Sequence, residues 1–179
     1  MNKNELRSKG KAIRGTLTKD ELMEKSENIF NFIFALDELK KSKNVFIFMN
    51  MLDEITTDVF IEKFIDLGKK VYIPKAKKTM TFHEYTGEFN ISNYGIREPI
   101  EPEEKISDMD TLIIVPGLLY SEDFYRIGYG GGYYDKYLDS HTYYKTVGIC
   151  FEEQMVKKLE VNSYDKAVDI LVTDRKVRR

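Results

Sequence analysis

The sequence predicts a single three-layer α/β sandwich over residues 1–179, a mostly parallel sheet flanked by helices. Short apolar runs recur along the chain, each of strand rather than helix length. Amphipathic stretches with helix start and stop signals alternate with them, which is the order that builds a parallel sheet covered on both faces. One apolar run is followed by a run of glycines and then by a further helical stretch, so a ligand loop beyond a strand end is expected.

Taken in order, Asn2 to Arg14 reads as a short polar helix. Lys3, Arg7, Lys11 and Arg14 fall at i, i+4, i+8 and i+11, which places four cations on one face. Thr18 with Glu21 forms a capping box for a second helix reaching about Leu36, with Leu22, Ile29, Phe30, Ile33 and Leu36 as its apolar face. Asn44 to Met49 is a buried strand. Thr57 opens a helix that Gly68 ends, with Val59, Phe60, Phe64 and Leu67 inward. Val71–Pro74 and Met80–Tyr85 are further strands. Ser92 to Ser107, with Pro99, Pro102 and several acids, reads as irregular loop. Thr111–Val115, Thr146–Phe151 and Val168–Thr173 complete the strands, and Tyr133–Leu138 is a helix.

Composition narrows the function. The net charge of -2 argues against a dedicated nucleic-acid binder. The lone Cys150 excludes an internal disulfide or a cysteine zinc cluster, and its apolar surroundings predict a buried thiol. No secretory leader and no membrane-length apolar stretch is visible, so a cytoplasmic protein without membrane contacts is expected. His83 and His141 lie far apart with no ligand or triad pattern around them, and neither is assigned a catalytic role.

The chemistry concentrates in Arg126-Ile127-Gly128-Tyr129-Gly130-Gly131-Gly132-Tyr133-Tyr134-Asp135. Glycine lets successive N–H groups converge in one concavity and lets a ligand approach the main chain. A helix beginning directly afterwards adds its positive end, so the segment predicts an anion site. Neither common nucleotide signature fits: Gly132 is followed by Tyr133 rather than Lys-Ser/Thr, and Tyr133 stands where a dinucleotide fingerprint needs its third glycine. Arg126 would add charge at the mouth of the nest, or else form a surface ion pair with Glu122 or Asp123. Asp135 suits a magnesium–phosphate site, and equally suits the first turn of a helix.

Val115-Pro-Gly-Leu118 followed by this glycine run closely resembles the 5-formyltetrahydrofolate cyclo-ligase family, also called methenyltetrahydrofolate synthetases. Other segments resemble it in the same order: Lys3-Asn4-Glu5-Leu6-Arg7, Asp53–Thr57, Gly95-Ile-Arg-Glu-Pro99, Gln154, and Tyr164-Asp165 through Asp169 to Thr173. Three positions depart from the family pattern, namely Ser121 where Asp is common, Phe124 where Gly is usual and Tyr164 where His often stands.

The resemblance implies an ATP- and magnesium-dependent enzyme of one-carbon metabolism. Its expected partners are 5-formyltetrahydrofolate and ATP, with no nucleic acid; a monomer is expected, a homodimer being the alternative. It further implies that Lys3, Asn4, Glu5, Leu6 and Arg7, with Arg126 through Tyr134, bind ATP. Arg126 would be catalytic; Arg7, Met49, Glu54, Tyr129, Gly130, Gly131, Gly132 and Tyr133 would bind the folate; and Asp135 and Asp165 would associate with magnesium. From spacing alone Asp169 is an equal candidate to Asp165. Two other readings stand beside the ligase: a non-catalytic relative binding nucleotide or RNA, and a small-molecule kinase using the same loop.

Overall fold

The computed structural model describes all 179 residues. Helix α1 (Lys3–Gly15) begins at Asn2, whose side chain accepts the amides of Asn4 and Glu5 while Glu5 returns to the Asn2 amide. Helix α2 (Lys19–Phe34) begins at the expected Thr18–Glu21 box, and a short helix α3 (Asp37–Lys41) follows it. Strand β1 (Asn44–Phe46) is shorter than the apolar run suggests. Ile47 still donates to the Tyr72 carbonyl, and residues 47–49 stay buried as the chain leaves the sheet for the cleft described below.

On helix α4 (Asp58–Asp66) the expected inward face is borne out at Phe60 and Phe64, which pack on the core, but not at Val59 and Leu67. Ile61 and Phe64 are fully buried, whereas Val59 and Leu67 are exposed. The helix is only nine residues long, so it offers the sheet a narrow stripe rather than the broad face assumed from the sequence. Gly68 ends it at φ +78°. Strands β2 (Lys70–Ala76) and β3 (Met80–Glu84) form an antiparallel hairpin. The region read as irregular from Ser92 holds the turn and second strand of a further hairpin, β4 (Phe89–Ile91) with β5 (Arg97–Pro99), turning at Gly95 with φ +74°.

After β6 (Thr111–Val115) the chain does not enter the glycine loop directly. It first makes β7 (Leu119–Ser121) and β8 (Arg126–Ile127), then α5 (Tyr133–Ser140), β9 (Lys145–Ile149), β10 (Met155–Val156), β11 (Ile170–Val172) and β12 (Val177–Arg178). The main sheet has the order β12-β11-β9-β6-β1-β2-β3, and β10-β7-β8 form a small separate sheet. Strands β11, β9, β6, β1 and β2 run parallel, and only the two edge strands oppose them.

Residues alternate between two cores, as strand geometry requires. Leu112 and Ile114 face the core under α2 and α4, which also holds Ile29, Phe30, Ile61 and Phe64. Ile113 and Val115 face the core under α5, with Phe46, Phe82 and Tyr137. Leu6 and Ile13 of α1 pack on the small sheet through Leu119, Ile127 and Val156.

Candidate functional site

The parallel strands reverse direction of succession between β1 and β6, and a cleft opens beyond the carboxyl ends of these two strands. That is the place where open α/β sheets bind ligands. Phe48, Met49 and Glu54 enter it after β1, and Pro116 after β6. The glycine loop and the start of α5 form one wall, Lys3 and Arg7 of α1 one end, and Pro74, Ala76 and Met80 the side of the β2–β3 hairpin. The β4–β5 hairpin overhangs the mouth, with Tyr94 nearly fully exposed at its tip. It is tied down by Arg97, which donates to Asp58 at 2.7 Å and to the Asn50 carbonyl at 3.0 Å.

The glycine loop is open for a ligand. The amides of Gly128, Tyr129, Gly130 and Gly131 make no hydrogen bond within the protein, and the α5 N-cap is Gly132, which has no side chain to satisfy the first turn. Gly130 and Gly132 adopt φ +111° and +65°, and a Cβ at Gly130 would lie 3.3 Å from the Arg7 guanidinium. Arg7 is held there by its Nε, which donates to the Gly128 carbonyl at 3.1 Å, and by the Asn4 side chain at 2.6 Å. These unspent donors at a helix start, flanked by cations, make a polyanion site.

Arg126 is not the exposed cation at the loop mouth that the sequence suggested. Its side chain is 4% exposed, and it donates to Asp135 Oδ1 at 3.0 Å and to the Lys166 carbonyl at 2.9 Å. Neither Glu122 nor Asp123 is its partner. Two of its five N–H donors are thus spent, leaving three for a ligand. Asp135 also accepts the Lys166 amide at 3.0 Å. Asp165 accepts Lys3 Nζ at 3.1 Å and the Asn162 amide at 2.9 Å through Oδ2. Asp169, the equal candidate by spacing, lies at the opposite end of the sheet: it accepts the Thr146 amide and hydroxyl where β9 and β11 begin.

Glu54 is no exposed loop acid but 5% exposed. Its Oε1 accepts the Tyr129 hydroxyl at 2.6 Å and its Oε2 the Met51 amide at 2.8 Å. The Arg14 guanidinium stands 3.7 Å from Oε1. Burial first, and then the charge of Glu54, push the Tyr129 phenol above its ordinary range. Burial does the same to Tyr134, whose hydroxyl is enclosed without a partner in the protein. Tyr133 donates to the Lys77 carbonyl at 2.9 Å, tying α5 to the β2–β3 turn. Three residues of the expected nucleotide set lie apart in role: Asn4 braces Arg7, Glu5 closes the α1 cap, and Leu6 packs into the small core. His83 and His141 are outside the cleft lining.

Residues 1–174 match the sequence profile of the 5-formyltetrahydrofolate cyclo-ligase family. The chain belongs to this family. It is 34% identical over 145 residues to a probable 5-formyltetrahydrofolate cyclo-ligase of Schizosaccharomyces pombe, covering 70% of this chain and 71% of that one. It is 32% identical over 134 residues to the Escherichia coli K12 5-formyltetrahydrofolate cyclo-ligase, covering 69% and 73%. The NMR structure of Aquifex aeolicus 5,10-methenyltetrahydrofolate synthetase superposes with a TM-score of 0.87 at 30% identity, over 100% of this chain and 93% of that one. A Mycoplasma pneumoniae structure of the same name shares the fold at a TM-score of 0.78 and 22% identity.

Against the cyclo-ligase pattern, the departures have structural consequences. Phe124, where the family usually has glycine, sits at φ +69°, and Ser121 bonds Asp123 to close the same turn. Tyr164 is exposed beside Asp165 and touches nothing in the cleft. Sequence reasoning missed the role of Gln154, which is fully buried and donates to the Leu118 carbonyl at 2.7 Å, fixing the segment that leads from β6 to the loop.

Proposed function

We propose that this protein is an ATP- and magnesium-dependent 5-formyltetrahydrofolate cyclo-ligase, yielding 5,10-methenyltetrahydrofolate, ADP and phosphate. The observation that carries the reading is the polarity of one cleft. Free loop amides and cations stand at one end, and a buried carboxylate stands beside apolar walls at the other. A phosphate chain suits the first end, and a pterin, with donors along one edge and flat apolar faces, suits the second.

The formyl oxygen is a poor leaving group, so it must be activated. In the proposed sequence it attacks the terminal phosphorus of ATP and ADP leaves. The neighbouring side-chain nitrogen then adds to the formyl carbon, loses its proton, and phosphate departs as the ring closes. Amides 128–131 and the α5 start would hold the phosphates, with Lys3 and Arg7 completing the charge. Arg126, already oriented by Asp135 and the Lys166 carbonyl, would direct its remaining donors at the transferring phosphoryl group, where charge is redistributed. Glu54 would accept from the pterin edge, and Met49 would form part of the pterin wall.

Asp135 and Asp165 fit magnesium, since both line the cleft and each keeps one oxygen, Oδ2 and Oδ1 respectively, free of protein donors. One or two carboxylates beside phosphate oxygens is the donor set this ion prefers, and bound there it would offset phosphate charge.

The test is incubation with 5-formyltetrahydrofolate and Mg-ATP, following methenyl absorbance together with ADP and phosphate. Stoichiometric release of all three supports the ligase. A phosphorylated folate as end product would instead establish the kinase reading, and ATP hydrolysis indifferent to folate would refute the ligase.

A further inference from the structure

The cationic stripe of α1 extends past the phosphate end of the cleft. Lys3 meets Asp165 and Arg7 meets the Gly128 carbonyl. Arg14 lies seven residues beyond Arg7, about 10 Å along the helix axis. Nothing in the phosphate site accounts for it, yet it is 4% exposed and surrounded by groups of the other end.

Its Nη2 donates to the Tyr129 hydroxyl at 2.6 Å and to Asp53 at 3.1 Å. Arginine can only donate and an ionised carboxylate can only accept, so the direction of the next bond is fixed. The Tyr129 hydroxyl accepts from Arg14 and donates to Glu54 Oε1 at 2.6 Å. Lys11, one turn earlier on the same face, stands 5.8 Å from the centre of the Tyr129 ring, and the Arg14 guanidinium 5.6 Å. Two cations therefore hold one phenol, and that phenol holds the carboxylate. Arg14 Nε has no partner in the protein, and the Arg14 side chain makes no bond to a main-chain carbonyl. Its bonds run to Asp53 and Tyr129, with Glu54 beside them, rather than to a helix end or a turn that needs bracing.

A buried carboxylate needs donors and charge from the protein in place of its hydration. Met51 supplies one donor and Tyr129 another, but the only cation within 4 Å of Glu54 is Arg14. We propose that Arg14, acting through Tyr129, is a positioning residue for the folate end of the cleft. It holds Glu54 in the orientation that faces the ligand, so one helix serves both substrates. This rests on the reading of Glu54 as the folate acceptor.

The test is calorimetric titration of the full chain with 5-formyltetrahydrofolate and, separately, with Mg-ATP. The proteins compared are the parent, Arg14→Gln, Arg14→Lys, Glu54→Gln and the double variant Arg14→Gln/Glu54→Gln. Arg14→Gln should weaken folate about tenfold or more and leave ATP affinity unchanged. Arg14→Lys should fall between, because an ammonium keeps the charge but loses the fork. The double variant should bind folate no more weakly than Glu54→Gln alone, since the two residues act through one contact.

Additive losses in the double variant would overturn the proposal, because Arg14 would then act independently of Glu54. Unchanged folate affinity in Arg14→Gln, with Glu54→Gln impaired, would overturn it while leaving the role of Glu54 intact. An unimpaired Glu54→Gln would remove both. Should the Arg14 variants fail to fold, Tyr129→Phe at a half-exposed loop position carries the same test. It should cost folate affinity in the parent and nothing in the Glu54→Gln background, and an additive loss would overturn the proposal.

Discussion

Gly10 sets how closely α1 approaches the rest of the site, and Gly10→Ala measures that directly. A Cβ at this position would lie 2.6 Å from the Leu118 carbonyl oxygen and 2.9 Å from Leu118 C and Cβ. The carbonyl cannot yield freely, because Gln154 donates to it at 2.7 Å and the Leu118 amide is bonded to Ile127 at 2.7 Å. A carbon–oxygen contact relaxes to about 3.3 Å, so the helix must move outward by roughly 0.7 Å. Overpacking of this kind costs about 1–3 kcal/mol, against a helix-propensity gain of about 1 kcal/mol for alanine over glycine. The expected net effect is a loss of up to about 2 kcal/mol, or up to roughly 8 °C in Tm for a chain of this size. The shift carries Lys3, Arg7 and Arg14 away from the cleft together, and misplacement near 1 Å can cost up to about a hundredfold in rate. Thermal melting and steady-state methenyl formation are the assays, with KM measured for both substrates. A variant that melts higher than the parent and keeps both KM values would refute the reasoning, because propensity alone would then govern the position.

Other perturbations separate terms that the structure combines. Arg126→Ala should destabilise the fold as well as lower turnover, since it leaves the Lys166 carbonyl and Asp135 short of a buried donor, about 1–3 kcal/mol; urea melts matching the parent would show the clamp is slack. Phe124→Gly should be more stable than Phe124→Ala by about 1–2 kcal/mol, because both lose the ring but only glycine accepts φ +69° without strain; equal midpoints in denaturant would contradict the left-handed assignment. Burial tends to raise the Glu152 carboxyl, but hydrogen bonds from Arg178 and Thr173 win and hold it below its usual range. Its contribution to stability is therefore present above the ordinary glutamate range and is lost as pH falls through the lowered folded value. Glu152→Gln should cost stability at pH 7 and progressively less below about pH 4, and melting curves separated by a constant interval at all pH values would count against this.

Much of the fold was legible because it is written in local periods. The capping box at Thr18 marks the start of α2, and its apolar face follows from its spacing; α1 lies within a residue of the stretch expected for it. What was not legible depends on partners distant in sequence. Strands β7, β8 and β10 are two or three residues long, too short for any alternation to register, and exist because each finds the others. The β4–β5 hairpin was obscured by its prolines and acids, although Gly95 marks its turn. On α4, counting apolar residues found Phe60 and Phe64 but also took in Val59 and Leu67, which lie at the ends of a short helix and are exposed.

The site divides along the same line. The glycine loop announces an anion because its chemistry belongs to its own backbone, whereas the fate of each charge depends on tertiary placement. Asp165 and Asp169 are four residues apart and equal by spacing, yet one lies in the cleft and the other bonds Thr146 at the opposite end of the strands. Arg126 and Arg14 both looked like surface cations, and both are covered. The usable signal was the stripe itself. An exposed helix needs no cation at i+11 in register with those at i and i+4, while a helix lying along a cleft does. Lys3 and Arg7 line the cleft at the loop and Arg14 stands beside Glu54, two regions that meet because β1 and β6 pair side by side. The stripe on α1 thus already carried cations for both ends of a site that the sequence alone could not join.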